Sequence, residues 1–395
     1  MTSATAQRLK HFALKQLGLQ EYLEHPGDGR RWPQIPAAML VWAQLLGFVL
    51  RETSFHGLEA LVRSPARRML ALRRSFSEDT LAYFTERLDP APTRAALARL
   101  ARQAKRRKSF GAWIGLAVDG TSAGCSAEAH CPLCRPLYNA EHAILGHQHC
   151  LSLVSLVGGG LNLPLDVEPY GPGENEVAAS QRALGRVVAQ VGRRFADYVV
   201  VDGYYAGAPF LRQLSAWGLS AVVRLKNNLP ELAAAAQQRF TAQPPSLEMW
   251  RGADRIELWD ASDFDPWEGL DWTSVRVLRY RQHKPDGQVI EAYWLTNLPW
   301  QRVGTSQLYD MAKSRWEVEN QGFNDAKNRY GLAHIAHHQS QSLVARWLLL
   351  LLALTVERLY RLRYLHRGRR PPRTAIEFVR ELRLNLCPPP RLNSG

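Results

Sequence analysis

Two aspartates, each directly before a glycine, close apolar β-prone runs: Asp119 in "GLAVDGTS" and Asp202 in "DYVVVDGYY". Far downstream, "KSRWEVENQGFNDAKNRYGL" carries Glu317 and Glu319, with Arg315 ahead of them and Lys327 beyond. Carboxylates brought together in this way are the donor set of a hard divalent cation such as Mg²⁺, which binds through a few acids, waters and substrate phosphates. At about 100° per residue, Arg315, Glu319, Phe323 and Ala326 share one helical stripe, while Glu317 points about 160° away from Glu319. This places Glu319 on the buried stripe and turns Glu317 outward. A buried glutamate needs a partner, which is either Arg315 one turn earlier or a metal. Lys327, about 80° from Glu319, lies at the margin of the stripe within reach of a phosphate. Taken singly, an Asp-Gly after a strand is ordinary turn chemistry and a Glu beside an Arg is an ordinary ion pair. Taken together, the three positions point to one site.

The elements that must hold these acids follow from the hydrophobic period. Residues 1–110 repeat apolar positions at helical spacing, with Ser77 as an N-cap, and form an expected all-helical basic region. From 111 to 225 the period shortens: "AWIGLAVDGTS" reads as a central strand ending in a turn, and "CLSLVSLV" and "LPLDVEPY" as a hairpin across "GGGLN". A helix through "GENEVAASQRALGRVVAQVGRRF", the strand "DYVVVDGYY", a helix through "APFLRQLSAWG" and the strand "LSAVVRL" complete the series. In a sheet of this order the first and fourth strands are neighbours, so Asp119 and Asp202 converge at one edge. Residues 226–300 read as a β-rich insertion and 301–366 return to helices, including a long one from about 341 to 366. Residues 367–395 form a basic, proline-containing tail.

The chain has 395 residues, 46% of them hydrophobic, and a formal charge of +14. That length supports a sizeable core in two or three domains. The charge favours an anionic polymer as partner, because phosphate contacts release counterions, although a high-GC genome also enriches arginine. Residues 1–110 hold 19 lysines and arginines against 9 acids; a solvated helical face followed by a linker is the plain alternative reading. No charged-then-apolar leader is visible and "WLLLLLALTV" is about half the length of a bilayer span, so a cytoplasmic protein without a membrane segment is expected. "LVGGGLNLP" is not a dinucleotide fingerprint, since its glycines lead into a strand rather than a helix.

These residues resemble the DDE insertion-sequence transposases of bacteria, and within them the group with a Tyr-Arg-Glu-Lys signature and a β-strand insertion before the third acid. "VVVDGYYAG", "WLTNLP" and "RWEVENQGF" are similar to what such enzymes show at the second acid, the end of the insertion and the third acid; the resemblance spans about residues 75 to 365. It departs from the signature at two places. Position 312 is alanine where tyrosine is expected, with Tyr309 nearest, and position 326 is alanine where lysine is expected, with Lys327 one residue further on. The resemblance implies an α/β fold: an RNase H-like mixed sheet flanked by helices, interrupted by a β-rich insertion, with an N-terminal all-helical domain. It further implies Asp119, Asp202 and Glu319 as the triad holding two Mg²⁺ or Mn²⁺ ions, and Arg315, Lys327 and Tyr309 as contacts to DNA phosphates. The implied partners are double-stranded DNA, both element terminal repeats and target, and further copies of the chain in a homodimer or larger synaptic assembly. The competing reading is a non-catalytic or decayed DNA-binding protein on the same fold.

A second constellation lies between the first two strands. The five cysteines are Cys125, Cys131, Cys134, Cys150 and Cys387, an odd number that argues for thiols or a metal rather than a disulfide framework. In the loop at 122–150, Cys131 and Cys134 have the C-x₂-C spacing that grips one tetrahedral zinc. His130 with His147 or His149 would complete it, and His130, Cys131, Cys134 and His149 form the expected structural set. The plain alternative is a histidine-rich surface loop with free thiols.

Overall fold

The computed structural model describes residues 4–365, 374–384 and 386; Cys387 and most of the basic tail lie outside them. Ten strands form in chain order: β1 (Gly115–Ser126), β2 (Arg135–Tyr138), β3 (Ile144–Val157), β4 (Leu163–Pro169), β5 (Tyr198–Val201), β6 (Ser220–Leu225), β7 (Leu247–Arg251), β8 (Asp254–Phe264), β9 (Val275–His283) and β10 (Val289–Thr296). They make one mixed sheet in the order β3-β1-β5-β6-β10-β9-β8-β7, with β2 and β4 each paired to β3. β1, β5 and β6 run parallel, and β3 is antiparallel to β1. The core strands are therefore ordered β4-β3-β1-β5-β6, the arrangement the resemblance implies.

The strand period decides which residues face which side. Leu116, Val118, Val199 and Val201 enter one hydrophobic cluster, with helix Glu176–Val191 and helix Ala208–Ala216. Ala117, Tyr198 and Val200 enter the other, together with Val318, Phe323 and Ala326. Asp119 and Asp202 continue the second series, so both aspartates project towards the side that receives the segment carrying Glu319.

Two features refine the expected organisation. The strands of 226–300 are present, together with a helix at Pro230–Thr241, and they continue the core rather than standing apart: β10 pairs with β6, so the insertion extends the central sheet. The N-terminal helices likewise pack onto the rest of the chain. Helix Ser340–Tyr360 lies against helices Ala37–Leu50, Glu78–Glu86 and Pro90–Arg106 and against β4. A single hydrophobic cluster runs from Ala6 to Leu382. Within this interface the hydroxyls of Thr85 and Ser342 are 2.7 Å apart, and fully buried Glu357 accepts from Arg51 at 3.2 Å and from Tyr330. Ser77 caps helix Glu78–Glu86 as expected, accepting from Thr80 N–H at 3.3 Å. No described helix is long and apolar enough to cross a membrane.

Candidate active site

Asp119 is not at a strand end. β1 continues to Ser126 because the long strand β3 pairs with it throughout, Asp119 opposite Leu153. What stops is the other neighbour: β1 and β5 pair from Gly115/Tyr198 to Ala117/Val200, and β5 ends one residue before Asp202. Carrying the register on by two residues sets Asp119 beside Asp202 where the parallel pair opens. Burying the apolar runs thus forces the two carboxylates to the same opening.

The third acid comes from residues 315–328, which do not form one regular α-helix. An α-helical turn at Arg315–Glu317 passes into a π-helix at Val318–Phe323 and back to an α-helix at Asn324–Asn328. Arg315 donates to Glu319 at 2.6 Å and to Asp119 at 3.4 Å, tying the helix to β1. The expected contrast between the two glutamates is only half right. Glu319 does stand on the side of Arg315, yet its side chain is 40% exposed. Glu317 does not face outward: its carboxylate accepts from Gly158 N–H at 2.9 Å and Gly160 N–H at 3.0 Å. Gln321, one turn on, also grips that turn, donating to Gly160 O at 2.9 Å and accepting from Asn162 N–H at 3.3 Å. Gly159 and Gly160 have φ of +67° and +81°, a region open to glycine, which lets the turn offer its amides. The uniform 100° step failed because π-turns under-rotate the chain and because protein lies on both sides of the helix.

Two further groups stand beside the acids, and sequence reasoning missed both. Lys226, just after β6, approaches both Asp202 oxygens at 3.0 and 3.1 Å. Burial would raise the Asp202 carboxyl, but the Gly203 amide, Lys226 and Arg315 together hold it below its ordinary value. Asp119 behaves oppositely. Burial pushes it up to about 6, Arg315 opposes this, and the charges of Glu176 and Glu319 add to it. Glu176 opens helix Glu176–Val191 behind the Asn175 cap, and its carboxylate packs so closely on Gly120 that a Cβ added there would collide with it. Tyr205 donates to Glu176 at 2.7 Å and Tyr170 at 3.3 Å. Lys226 follows a strand in the same way as Asp202, which is a usable signal, whereas nothing in "GENEV" singles out its second glutamate.

Of the residues expected at phosphates, Arg315 stands among the acids and the other two do not. Tyr309 is 4% exposed and packs edge-on against Tyr280, ring centroids 5.3 Å apart. Lys327 lies near Cys125 and Cys150, whose charges bear on it, and it is not a partner in the ion pairs of Asp119, Asp202 and Glu319 among the described residues. In the Cys/His loop, Cys131, Cys134 and His149 do come together, but the fourth member is His338, not His130. His130 instead packs its ring against His338 at 4.6 Å.

The acids fit a divalent ion by donor chemistry. They are hard oxygen ligands on one face, and Asp119 retains its proton to about pH 6 because burial outweighs the positive charge beside it. Among the described residues they are not drawn as close as the Cys/His group, whose ligand atoms all lie within 4.8 Å of one another; Arg315 bridges Asp119 and Glu319 instead, and Lys226 pairs with Asp202. No curated protein matches the chain. Among solved structures it is similar to the piggyBac transposase synaptic complex with hairpin DNA, at 11% identity and a TM-score of 0.42, over 88% of this chain and 71% of that one. The transposase DDE domain family matches residues 115–356, from the first residue of β1 to four residues before the end of helix Ser340–Tyr360. The chain, with its acids on β1, after β5 and on the helix beyond the extended sheet, belongs to the transposase DDE domain family.

Proposed function

We propose that this protein cuts DNA at the ends of a mobile element and joins the freed ends to target DNA, with Asp119, Asp202 and Glu319 as the catalytic carboxylates. The observation that carries this assignment is the register: Asp119 within β1 and Asp202 just after β5 occupy matching positions where the parallel pairing of the two strands stops, and Arg315 links the first of them to Glu319. The three acids would hold two Mg²⁺ or Mn²⁺ ions, which supply activation of water or a 3′-hydroxyl and stabilisation of the leaving oxygen.

The chain's own residues account for the rest. Arg315 holds the third acid against β1, and Lys226 and Arg224 line the same opening with positive charge, Arg224 acting on both Asp202 and Arg315. Once cations occupy the carboxylates, Arg315 and Lys226 are placed to take DNA phosphates. Glu317 and Gln321 fix the helix to the Gly158–Gly160 turn, so the position of Glu319 is set by backbone contacts four residues apart. Exposed Arg68 and Arg106 on the N-terminal helices, with exposed Arg73 in a connection between two of them, supply part of the surface that grips element ends. A second protomer pairs the two ends.

The test is Mg²⁺-dependent nicking of labelled DNA carrying the sequences that flank this gene. Asp202→Asn and Glu319→Gln are expected to bind the DNA and to lose at least about 100-fold in cleavage, while Glu231→Gln, exposed on helix Pro230–Thr241, cuts like wild type. Normal cutting by Glu319→Gln would remove Glu319 from the site.

A further inference from the structure

The Cys/His loop takes no part in the reaction described above, yet its geometry is that of a built site. A turn closed by Cys134 N–H to Cys131 O at 3.0 Å brings the two sulfurs to 3.7 Å. A disulfide would need about 2.05 Å. Two thiolates about 2.3 Å from one tetrahedral zinc stand about 3.8 Å apart, and a thiolate and an imidazole nitrogen on the same ion about 3.5 Å apart. His149 Nε2 lies 3.2 Å from Cys131 Sγ and 3.5 Å from Cys134 Sγ. His338 supplies the fourth ligand atom from a different part of the chain. Its Nδ1 is buried and has no hydrogen-bond partner, a state that costs free energy unless something binds there.

We propose that Cys131, Cys134, His149 and His338 hold one zinc ion, and that this ion staples the loop following the first acid to the segment following the third. His149 belongs to β3, paired opposite Ala123 of β1, whereas His338 stands between the helix carrying Glu319 and helix Ser340–Tyr360. The staple works beside a packing contact: at Gly124, whose φ is +70°, an added Cβ would collide with Ile335 and fall 3.0 Å from Ala333 O. The far end of the third-acid helix is thereby pinned to the end of the strand that carries Asp119. His130 supports the site from outside, its backbone N–H donating to Cys134 Sγ at 3.4 Å and its ring lying against His338. Two thiol protons leave when zinc binds.

Zinc binding itself is independent of the transposase reading; only its effect on Glu319 rests on that reading. The experiment measures zinc per chain on the full-length protein by mass spectrometry, with cobalt substitution as a spectroscopic check of thiolate ligation. One zinc per chain is expected in wild type and in His130→Ala, and loss of it in Cys131→Ser and His338→Ala, each variant checked for folding by circular dichroism. Zinc-free wild type, or a His338→Ala protein that keeps its zinc, would overturn the assignment. So would loss of zinc from a folded His130→Ala protein. Should the ligand variants fail to fold, chelation of wild type replaces them: stripping zinc is expected to open residues 127–143 to limited proteolysis, and unchanged cleavage refutes the staple. Failure to nick DNA with zinc intact counts against the transposase reading and leaves this one standing.

Discussion

Tyr205 donates its phenol hydrogen to Glu176 at 2.7 Å, and the carboxylate so held sits against Gly120, the residue after Asp119. A fourth acid is thus fixed beside the first, where its charge helps raise the Asp119 carboxyl to about 6, behind burial. Glu176→Gln removes that charge and lowers the Asp119 value. Since the ion requires the ionised carboxylate, Mn²⁺ affinity in the variant is expected to rise at lower pH than in wild type. Titrations by calorimetry between pH 5 and pH 7 check this; coincident profiles would remove Glu176 from the electrostatics of the site.

The same shift predicts a pH dependence of folding in metal-free protein. Asp119 has a folded value of about 6 against 3.8 for the free side chain, so its contribution is fully present below pH about 4 and is lost as pH rises through about 6. Metal-free Asp119→Asn carries no such penalty. Relative to wild type it gains on the order of 2 to 3 kcal/mol between pH 4 and pH 7, read from urea midpoints at the two values.

Lys226 competes with any cation for Asp202, which it approaches at 3.0 Å. Lys226→Ala is therefore expected to bind Mn²⁺ more tightly and DNA more weakly, with the slope of log affinity against log salt reduced by about one. Equal DNA affinity and slope in the two proteins would show that Lys226 does not meet phosphate.

Glu317→Ala leaves the Gly158 and Gly160 amides without their acceptor. Hydrogen bonds to a charged group contribute roughly 1.5 to 3 kcal/mol each, so a loss of about 3 kcal/mol in denaturant unfolding is expected. Nicking should fall while DNA binding holds, because the helix that carries Glu319 loses its register. Unchanged stability would mean that Gln321 alone holds the turn.

The sheet was legible in the sequence, and so was the register that carries Asp119 and Asp202 to one opening of it, because apolar runs followed by Asp-Gly report both strand burial and the residue next to the opening. The Cys/His cluster was legible only as far as the local spacing reached. Cys131, Cys134 and His149 fall within one loop, whereas His338 is brought in by the path of the chain after Glu319, which no local pattern encodes. Glu317 was misplaced for a related reason. A helical wheel assumes constant rotation and one buried side, and the π-helix at Val318–Phe323 breaks the first assumption while the glycine turn breaks the second. Tyr309, expected at a phosphate, is drawn into the core by Tyr280 on β9.

The packing of helix Ser340–Tyr360 onto helix Ala37–Leu50 bears on how the protein is born. Residues 40–50 are buried on every side, and their partner is synthesised about 300 residues later. On the ribosome this greasy segment waits most of the way through translation for its cover, a long exposure for a surface that aggregates readily. A chain truncated before helix Ser340–Tyr360 would leave residues 40–50 without that part of their cover.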